Sequence, residues 1–227
     1  MQERDLRCQL VDVARAMNST GLNQGTSGNL SLRIEGGLLV TPSSLAYDQM
    51  EPEDLVAIDC CGQPLSNGPP GHERRPSSEW RLHADVFADR PDAMAVLHCH
   101  PIHATALACH DRGIPPFHYM TAVAGGDDIR CAPYATFGTE ELSLLTVEAM
   151  ADRKACLLAR HGLVSAGESL DQALRLAVEV ETLARMYLQA LQLGEPPLLT
   201  PAQMQAVHAQ FQGLDYGQPD EHPPSGL

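Results

Sequence analysis

The sequence is poor in basic residues, and Lys154 is its single lysine among 227 residues. Fifteen lysines and arginines against 29 acidic residues give a formal net charge of −14. This balance argues against nucleic acid and anionic membrane as partners, because both bind proteins through basic patches. It also disfavours a lysine-imine mechanism, since Lys154 lies in a charged segment with no apolar surroundings to activate it as a nucleophile.

Long apolar runs and several common motifs are absent as well. No stretch has the length of a membrane span and residues 1–5 do not resemble a signal peptide, so we expect a cytoplasmic enzyme without a membrane partner. The seven cysteines are odd in number and contain no C-x-x-C pair, which is typical of reduced thiols. The signatures G-x-S-x-G, H-E-x-x-H and G-x-G-x-x-G are missing, which leaves the serine-hydrolase, zincin and Rossmann interpretations unsupported.

The segment His98-Cys99-His100 is the most informative feature that the sequence does contain. It follows the apolar run 95–97, which predicts a short buried strand. Alternate side chains of a strand share a face, so His98 and His100 point the same way and Cys99 points to the other side. Two imidazoles on one face form half of a transition-metal site, although an H-x-H pair alone is equally compatible with two ordinary histidines.

Two further residues are candidates for completing such a site. The apolar run 155–163 predicts a second strand that carries His161 at its end, so that three histidines come from two rigid strands. Three protein ligands and one open position are typical of catalytic zinc. Glu79 lies in the first turn of a predicted helix behind Ser77 and Ser78 and is the candidate fourth ligand. In the absence of a metal, a favourable interaction with the helix dipole would explain it.

Three turns rich in glycine and hydroxyl groups predict an anion site. They are residues 23–29 (NQGTSGN), 41–44 (TPSS) and 76–78 (PSS), the last at a helix N-terminus. Such turns present backbone N–H groups to an anion, although each alone is explained by ordinary turn and capping chemistry. In a chain with one lysine, the three together favour a phosphate held by neutral donors. The first turn is not a P-loop, because no lysine follows it.

The remaining pattern predicts an α/β protein with one large domain. Apolar periodicity predicts helices around residues 6–17, from the Ser77-Ser78 cap to about 90, over 102–108 and from Thr200-Pro201, with a hairpin over 30–33 and 38–41 and a strand over 55–59. Ser169 and Gln172 predict a capping box for a long helix that ends before Glu195. Residues 61–76 form a long loop, and residues 213–227 form a Pro/Gly-rich tail.

Six segments in collinear order resemble the class II, zinc-dependent sugar-phosphate aldolases of the aldolase/adducin family. They are residues 21–29, 76–80, 98–100, 114–120, 131–139 and 161–163. The resemblance extends from about residue 3 to 212 and is strongest to members that act on L-fuculose 1-phosphate. It implies a three-layer α/β/α sandwich around a mostly antiparallel sheet, a catalytic domain over residues 1–212, and a homotetramer with its sites at subunit interfaces.

The resemblance also implies roles for individual residues. His98, His100 and His161 would bind one Zn²⁺ per subunit, and Glu79 would be a fourth ligand that leaves the metal and acts as acid/base. Tyr119 would reach a neighbouring subunit's site and protonate the aldehyde oxygen, with Phe137 lining that pocket. The implied phosphate ligands are Thr26, Gly28, Asn29, Ser43, Ser44, Ser77 and Ser78. Co²⁺ or Mn²⁺ could occupy the same ligand set.

The implied reaction is reversible cleavage of a ketose 1-phosphate, such as L-fuculose 1-phosphate, into dihydroxyacetone phosphate and a small aldehyde such as lactaldehyde. Zinc would act as the Lewis acid, and the carboxylate beside it would move the proton. Related chemistries on this scaffold stay open: methylthioribulose-phosphate dehydratases keep a glutamate at position 79, and pentulose-phosphate 4-epimerases typically carry aspartate. Adducin-like modules lack the metal ligands, and an unrelated zinc enzyme of the carbonic-anhydrase type would leave the three turns without a role.

Three features depart from the family pattern, and all concern the substrate. Ser44 stands where the second phosphate turn usually ends in glycine, which matters if this residue adopts a positive φ. The loop 61–76 is longer than expected. The aromatic residue that covers the pocket from the C-terminus does not align, and Tyr216 is the nearest candidate. These departures weaken the choice of sugar and leave the reaction class unchanged.

Overall fold

The structure is a computed structural model that describes residues 3–65 and 74–213. Within these ranges the elements are, in chain order, α1 Glu3–Ser19, β1 Asn29–Ile34, β2 Gly37–Val40, β3 Val56–Ile58, α2 Trp80–Asp89, β4 Ala95–Cys99, α3 Ile102–Ala108, β5 Cys131–Ala132, α4 Glu140–Ala149, β6 Ala155–Leu158, β7 Gly162–Gly167, α5 Leu170–Leu191 and α6 Pro201–Gly213. Short 3-10 helices lie at Pro52–Asp54 and Tyr119–Ala124. Among these residues no helix has the length and apolar character needed to span a membrane.

The strands form one sheet in the order β3-β2-β1-β4-β7-β6-β5. The pairing of β5 with β6 is parallel, and the other neighbours are antiparallel. Alternation along β4 divides its side chains between two apolar cores: Ala95, Leu97 and Cys99 pack toward α1, α3 and α5, whereas Val96 packs toward α2 and α4. The helices therefore cover both faces, and the expected three-layer α/β/α sandwich with a mostly antiparallel sheet is confirmed.

The segment 155–163 is not the single strand expected from its apolar run. β6 ends at Leu158, the chain turns through residues 159–161, and β7 begins at Gly162 and pairs back onto β6. Arg160 takes a left-handed φ of 57° at the turn. Both strands are buried and apolar, so the hydrophobic run continues through the turn and conceals it. His161 is thus a turn residue between two strands of a hairpin.

Other differences are local. The helix expected at Ser77-Ser78 begins at Trp80, with Glu79 in the N-cap position. The two-residue strand β5 and helix α4 were not predicted, although the Thr139 cap of α4 and its two acidic first residues are a helix-start signal. Ser169 caps α5 as expected, but Gln172 accepts the N–H of Glu168 and not that of Ser169. Residues 66–73 of the loop 61–76 and residues 214–227 of the tail, with Tyr216, lie outside the described residues.

Candidate active site

The structure brings the three candidate histidines together. β4 pairs with β7, which places the end of β4 beside the β6–β7 turn, so that His98 and His100 meet His161. Their potential ligand nitrogens all lie within 4.8 Å of one another. The Nε2 atoms of His98 and His100 are 2.9 Å apart. The sheet register therefore builds a convergent set of imidazoles from segments about 60 residues apart in the sequence.

The backbone around this set leaves no room for a larger residue at Gly162. A Cβ atom there would lie 2.4 Å from the carbonyl oxygen of Cys99 and 2.6 Å from the ring of His100. Cys99 itself points into the opposite core, as strand alternation predicts, and burial raises the pKa of its thiol well above the ordinary value. Cys99 is thus a protonated core residue and does not join the histidines.

Glu79 faces the histidines from the start of α2. Its Oε2 lies 3.4 Å from Nε2 of His98, and its Oε1 lies 3.4 Å from Nε2 of His161. The side chain is buried, and Oε1 has no hydrogen-bond partner in the described part of the chain. A buried carboxylate oxygen without a donor, beside a cluster of three imidazoles, fits a bound cation.

The electrostatics of the cluster keep its imidazoles neutral. Burial lowers the pKa of His98 well below its ordinary value, and the neighbouring His161 and His100 lower it further. Burial is also the main cause of the lowered pKa of His100 and of His161, and Glu79 opposes it in both cases. Neutral imidazole is the form that binds metals. Three imidazole nitrogens and a carboxylate oxygen match the donors of Zn²⁺ and of similar divalent ions.

One backbone contact sets the orientation of His98. Its Nδ1 lies 3.0 Å from the carbonyl oxygen of Leu163 on β7. A carbonyl only accepts, so Nδ1 carries the hydrogen and the bare Nε2 faces the cluster. This is the supporting contact by which metal-binding histidines are usually oriented.

The three hydroxyl-rich turns also assemble around Glu79. Turns 41–44 and 76–78 are joined by a bridge between Pro42 and Pro76, and the N–H of Ser77 donates to the carbonyl of Thr41 at 3.0 Å. The Ser77 hydroxyl accepts the N–H of Glu79 at 3.3 Å. The first turn leads into β1 and reaches Glu79 through Asn29, whose Nδ2 donates to Oε2 at 2.9 Å. The side chains left exposed by these contacts are Thr26, Ser43, Ser44 and Ser78.

Two of the expected phosphate residues have a specific local structure. The amide of Asn29 is engaged at both ends, with Glu79 at Nδ2 and with His83 at Oδ1, so its side chain is not available to an anion in this arrangement. Ser44 has φ 60°, the left-handed conformation in which glycine is favoured. Serine at this position, where the family pattern has glycine, therefore has a strained backbone.

Tyr119 and Phe137 are exposed aromatic residues, with 47 % and 62 % of their surface accessible. Tyr119 begins the 3-10 helix 119–124, and its ring packs against those of His118 and Phe211, with centroids 4.8 Å and 6.3 Å away. Neither contact is with the histidine cluster. Within one chain, then, the structure groups Glu79 with the histidines and leaves Tyr119 on the surface.

Two residues of the site have roles that the sequence did not predict. Asn23 is buried, and its Oδ1 accepts the backbone N–H of His100 at 3.0 Å. His83 was not among the predicted site residues, yet it lies buried against Asn29. A signal for His83 was present, because it lies four residues after Glu79 on one helix and so shares its face.

Comparison with known proteins agrees with this geometry. Residues 8–188 match the family model described as the class II aldolase and adducin N-terminal domain. The chain is 52 % identical over 206 residues to the 5-methylthioribulose-1-phosphate/5-deoxyribulose-1-phosphate aldolase of Rhodospirillum rubrum, covering 91 % of this chain and 90 % of the relative. It is 44 % identical over 212 residues to the L-fuculose phosphate aldolase of Escherichia coli, covering 93 % and 96 %.

Solved structures give the same result. An L-fuculose 1-phosphate aldolase superposes with a TM-score of 0.86 at 36 % identity, covering 92 % of this chain and 96 % of that one. The L-fuculose-1-phosphate aldolase of Thermus thermophilus has a TM-score of 0.71 at 29 % identity, covering 87 % and 100 %. The chain therefore belongs to the class II aldolase and adducin family, in the branch of sugar-phosphate aldolases, which are lyases.

Proposed function

We propose that the protein is a zinc-dependent aldolase that reversibly cleaves the C3–C4 bond of a ketose 1-phosphate and releases dihydroxyacetone phosphate and a small aldehyde. The observation that carries the proposal is Oε1 of Glu79, which has no hydrogen-bond partner among the described residues and lies 3.4 Å from Nε2 of His161 in a cluster of three neutral histidines. This arrangement lies beside exposed hydroxyl turns that suit a phosphate. An adducin-like module without the metal ligands does not account for it.

The relatives favour a ketose with a short apolar end. The 52 % identical relative is named for 5-methylthioribulose 1-phosphate and 5-deoxyribulose 1-phosphate, which on C3–C4 cleavage give methylthioacetaldehyde and acetaldehyde. L-Fuculose 1-phosphate, expected from the sequence and named for relatives at 44 % identity, gives lactaldehyde. We rank the 5-deoxypentulose phosphates first on this difference. All three substrates share the dihydroxyacetone phosphate half, which the hydroxyl turns would bind.

The metal ligands in this proposal are His98, His100 and His161, with Glu79 as the displaceable fourth. When bound, Zn²⁺ supplies a Lewis acid for the carbonyl oxygen and for the negative charge that develops when the C–C bond breaks. The residues of the chain prepare its site by keeping the imidazoles neutral and by directing Nε2 of His98 inward. The described ranges contain one such cluster of histidines, so we expect one ion per subunit.

Phosphate binding is assigned to neutral donors. The backbone N–H groups of Gly28 and Ser44 and the hydroxyls of Thr26, Ser43 and Ser78 are the candidates. Ser77 can also contribute, because its oxygen accepts the N–H of Glu79 and its hydroxyl hydrogen stays free to donate. A phosphate bound by these groups places the adjoining carbons of the substrate near Glu79.

Glu79 and Tyr119 would carry the two proton transfers. In the direction of synthesis, Glu79 takes a proton from C3 of dihydroxyacetone phosphate, and Tyr119 of a neighbouring copy donates one to the aldehyde oxygen. In cleavage the C4 hydroxyl returns its proton to the tyrosinate, and Glu79 delivers a proton to C3. The exposure of Tyr119 and Phe137 suits a homotetramer in which each copy completes a neighbour's site. The protein would act in the cytoplasm.

The test is retro-aldol turnover of the three ketose phosphates by the zinc-loaded protein, with product analysis. Two fragments support an aldolase, whereas an epimer or loss of water would assign the scaffold to a 4-epimerase or a dehydratase. Activity should disappear on chelation and return with Zn²⁺. Full turnover by fully demetallated protein would rule out the proposed mechanism.

The matched variants are Glu79→Gln and Glu141→Gln, the second an exposed glutamate at the start of α4. Glu79→Gln should keep zinc through the histidines and lose about 10²–10⁴-fold in kcat, the usual contribution of a general acid/base. Glu141→Gln should resemble the wild type. Near-normal kcat in zinc-loaded Glu79→Gln would remove Glu79 from the acid/base role.

A further inference from the structure

A row of four buried polar side chains runs from β1 to the candidate acid/base. Ser31 Oγ lies 2.7 Å from Nδ1 of His83, and Nε2 of His83 lies 2.5 Å from Oδ1 of Asn29. Asn29 Nδ2 then donates to Oε2 of Glu79 at 2.9 Å. All four residues are at most 7 % exposed. Only Glu79 faces the histidine cluster directly, so the other three form a supporting layer behind it.

The secondary structure holds this row in register. Asn29 and Ser31 are two residues apart on one face of β1, where they pair with His98 and Val96 of β4. Glu79 and His83 are four residues apart at the start of α2 and in its first turns. Two residues of strand advance about 6.7 Å and four residues of helix about 6 Å, so both pairs stay opposite each other.

The hydrogen bonds of the row permit one direction only. A carboxylate accepts and does not donate, so Asn29 must present its NH₂ to Glu79 and its oxygen to His83. His83 must then carry its hydrogen on Nε2, which leaves Nδ1 bare to accept the hydroxyl of Ser31. In the opposite tautomer, Nδ1–H would turn to an acceptor such as the nearby Val96 carbonyl, and the bare Nε2 would face the oxygen of Asn29.

We infer that His83 is a positioning residue: as the Nε2–H tautomer it fixes the amide of Asn29, which holds Oε2 of Glu79 and leaves Oε1 directed at the histidines. This inference rests on the proposed function, in which the orientation of Glu79 matters for proton transfer. It assigns the side chain of Asn29 to the glutamate, in contrast to the phosphate role expected from the sequence.

The burial of His83 supports this role. The ring is fully buried, which lowers its pKa from 6.5 to about 3, with His98 adding to the effect and Glu79 and the Val96 carbonyl opposing it. The neutral ring has one donor and one acceptor, as the row requires. Loss of the donor would leave the buried oxygen of Asn29 without a partner, and the amide would be free to turn away from Glu79.

The first experiment does not depend on catalysis. Nitrogen-15 NMR of the metal-free protein at pH 7, with the signal assigned by its absence in His83→Gln, reports the tautomer of His83. The inference expects a bare Nδ1 and a protonated Nε2 whose hydrogen exchanges slowly with water. A hydrogen on Nδ1, or a doubly protonated ring, would overturn it even if the protein were a fully active aldolase.

The second experiment compares three variants in the zinc-loaded enzyme. His83→Leu keeps the volume and removes the donor, whereas His83→Gln keeps an N–H₂ group that can reach Asn29. We expect His83→Leu to lose about 10–100-fold in kcat, the usual effect of removing a group that orients a metal-site residue, with KM changed less than about threefold. His83→Gln should recover most of that loss.

Ser143→Ala is the matched control for a loss of stability alone. Ser143 is fully buried and donates to Asp85 on α2 at 2.7 Å, on the face of that helix away from the row. The control should unfold earlier and keep its kcat. Wild-type kcat in zinc-loaded His83→Leu, or an equal loss of kcat in His83→Leu and Ser143→Ala, would overturn the inference. If the wild type cleaves no substrate, the proposed function fails, and the NMR result still decides whether His83 has the tautomer that the row of hydrogen bonds requires.

Discussion

Gly28 lies where the turn 23–29 approaches His98 of β4, and substitution by alanine should disturb both the turn and the strand. Its φ is +77°, and a Cβ atom would lie 2.7 Å from the carbonyl oxygen of His98 and 2.2 Å from Nδ2 of Asn23. Backbone cannot move aside as a flexible side chain can. Asn23 is also constrained, because its oxygen accepts the N–H of His100.

Gly25 in the same turn separates the cost of the left-handed backbone from the cost of overpacking. It also has a positive φ, +65°, but a Cβ atom there meets no other atom of the described residues within 4 Å. Gly25→Ala should therefore cost only the left-handed conformation, about 1 kcal/mol after the lower entropy of the unfolded alanine chain is allowed for. Gly28→Ala carries the same cost plus overpacking of about 1–3 kcal/mol. The expected total for Gly28→Ala is about 2–4 kcal/mol.

The assay is urea unfolding of both variants at one protein concentration, because an oligomer's apparent stability depends on concentration. Zinc titration follows on the same samples. Gly28→Ala should also bind zinc more weakly, since the displacement of Asn23 releases the backbone before His100, whereas Gly25→Ala should bind it normally. Equal destabilisation by the two substitutions would refute the packing argument, and unchanged zinc affinity in a destabilised Gly28→Ala would refute the link to the metal ligands.

Three further predictions concern stability. Ser44→Gly should raise the free energy of unfolding by about 0.5–1 kcal/mol, because it relieves a left-handed residue, and urea unfolding measures this directly. Between pH 7.5 and 5.5 the metal-free wild type should lose about 1.4 kcal/mol more stability than His83→Gln: the unfolded histidine gains a proton below its ordinary pKa of 6.5, whereas the folded one, with a pKa of about 3, stays neutral. The pH series would contradict this if both lost stability equally. Glu181→Ala should cost about 2–3 kcal/mol in urea unfolding, because that carboxylate accepts the N–H groups of His103 and Ala104 at the start of α3, and an effect within about 0.5 kcal/mol of zero would contradict it.

The fold was predictable where periodicity and caps agree. The helix that starts at Ser169 and the hairpin of β1 and β2 were both expected from local pattern. The β6–β7 turn was not, because two fully buried strands read as one apolar run and Arg160 gives no turn signal of its own. Short β5 has too few residues for a period to show.

The candidate site also has a part that local pattern predicts and a part that depends on tertiary contacts. Strand alternation alone paired His98 with His100 and turned Cys99 away, because side-chain direction on a strand is a local property. That His161 joins them depends on the pairing of β4 with β7, which no local pattern encodes. The roles of Asn23 and His83 depend on packing between segments 50 or more residues apart, so they needed the tertiary structure.

The sequence by itself pointed to a metal site and an anion site, through ligand types, their alternation on a strand and three hydroxyl-rich turns in a chain with one lysine, and its resemblance to the class II aldolases implied the reaction class. The tertiary structure decided the orientation of the groups. It turned the Asn29 amide to Glu79, left Oε1 of that glutamate without a hydrogen-bond partner in the described part of the chain, and put Ser44 in a left-handed conformation. The physical reason is that residue identity states which groups can donate, accept or bind a metal, whereas the direction of each bond depends on neighbours that only folding brings within reach.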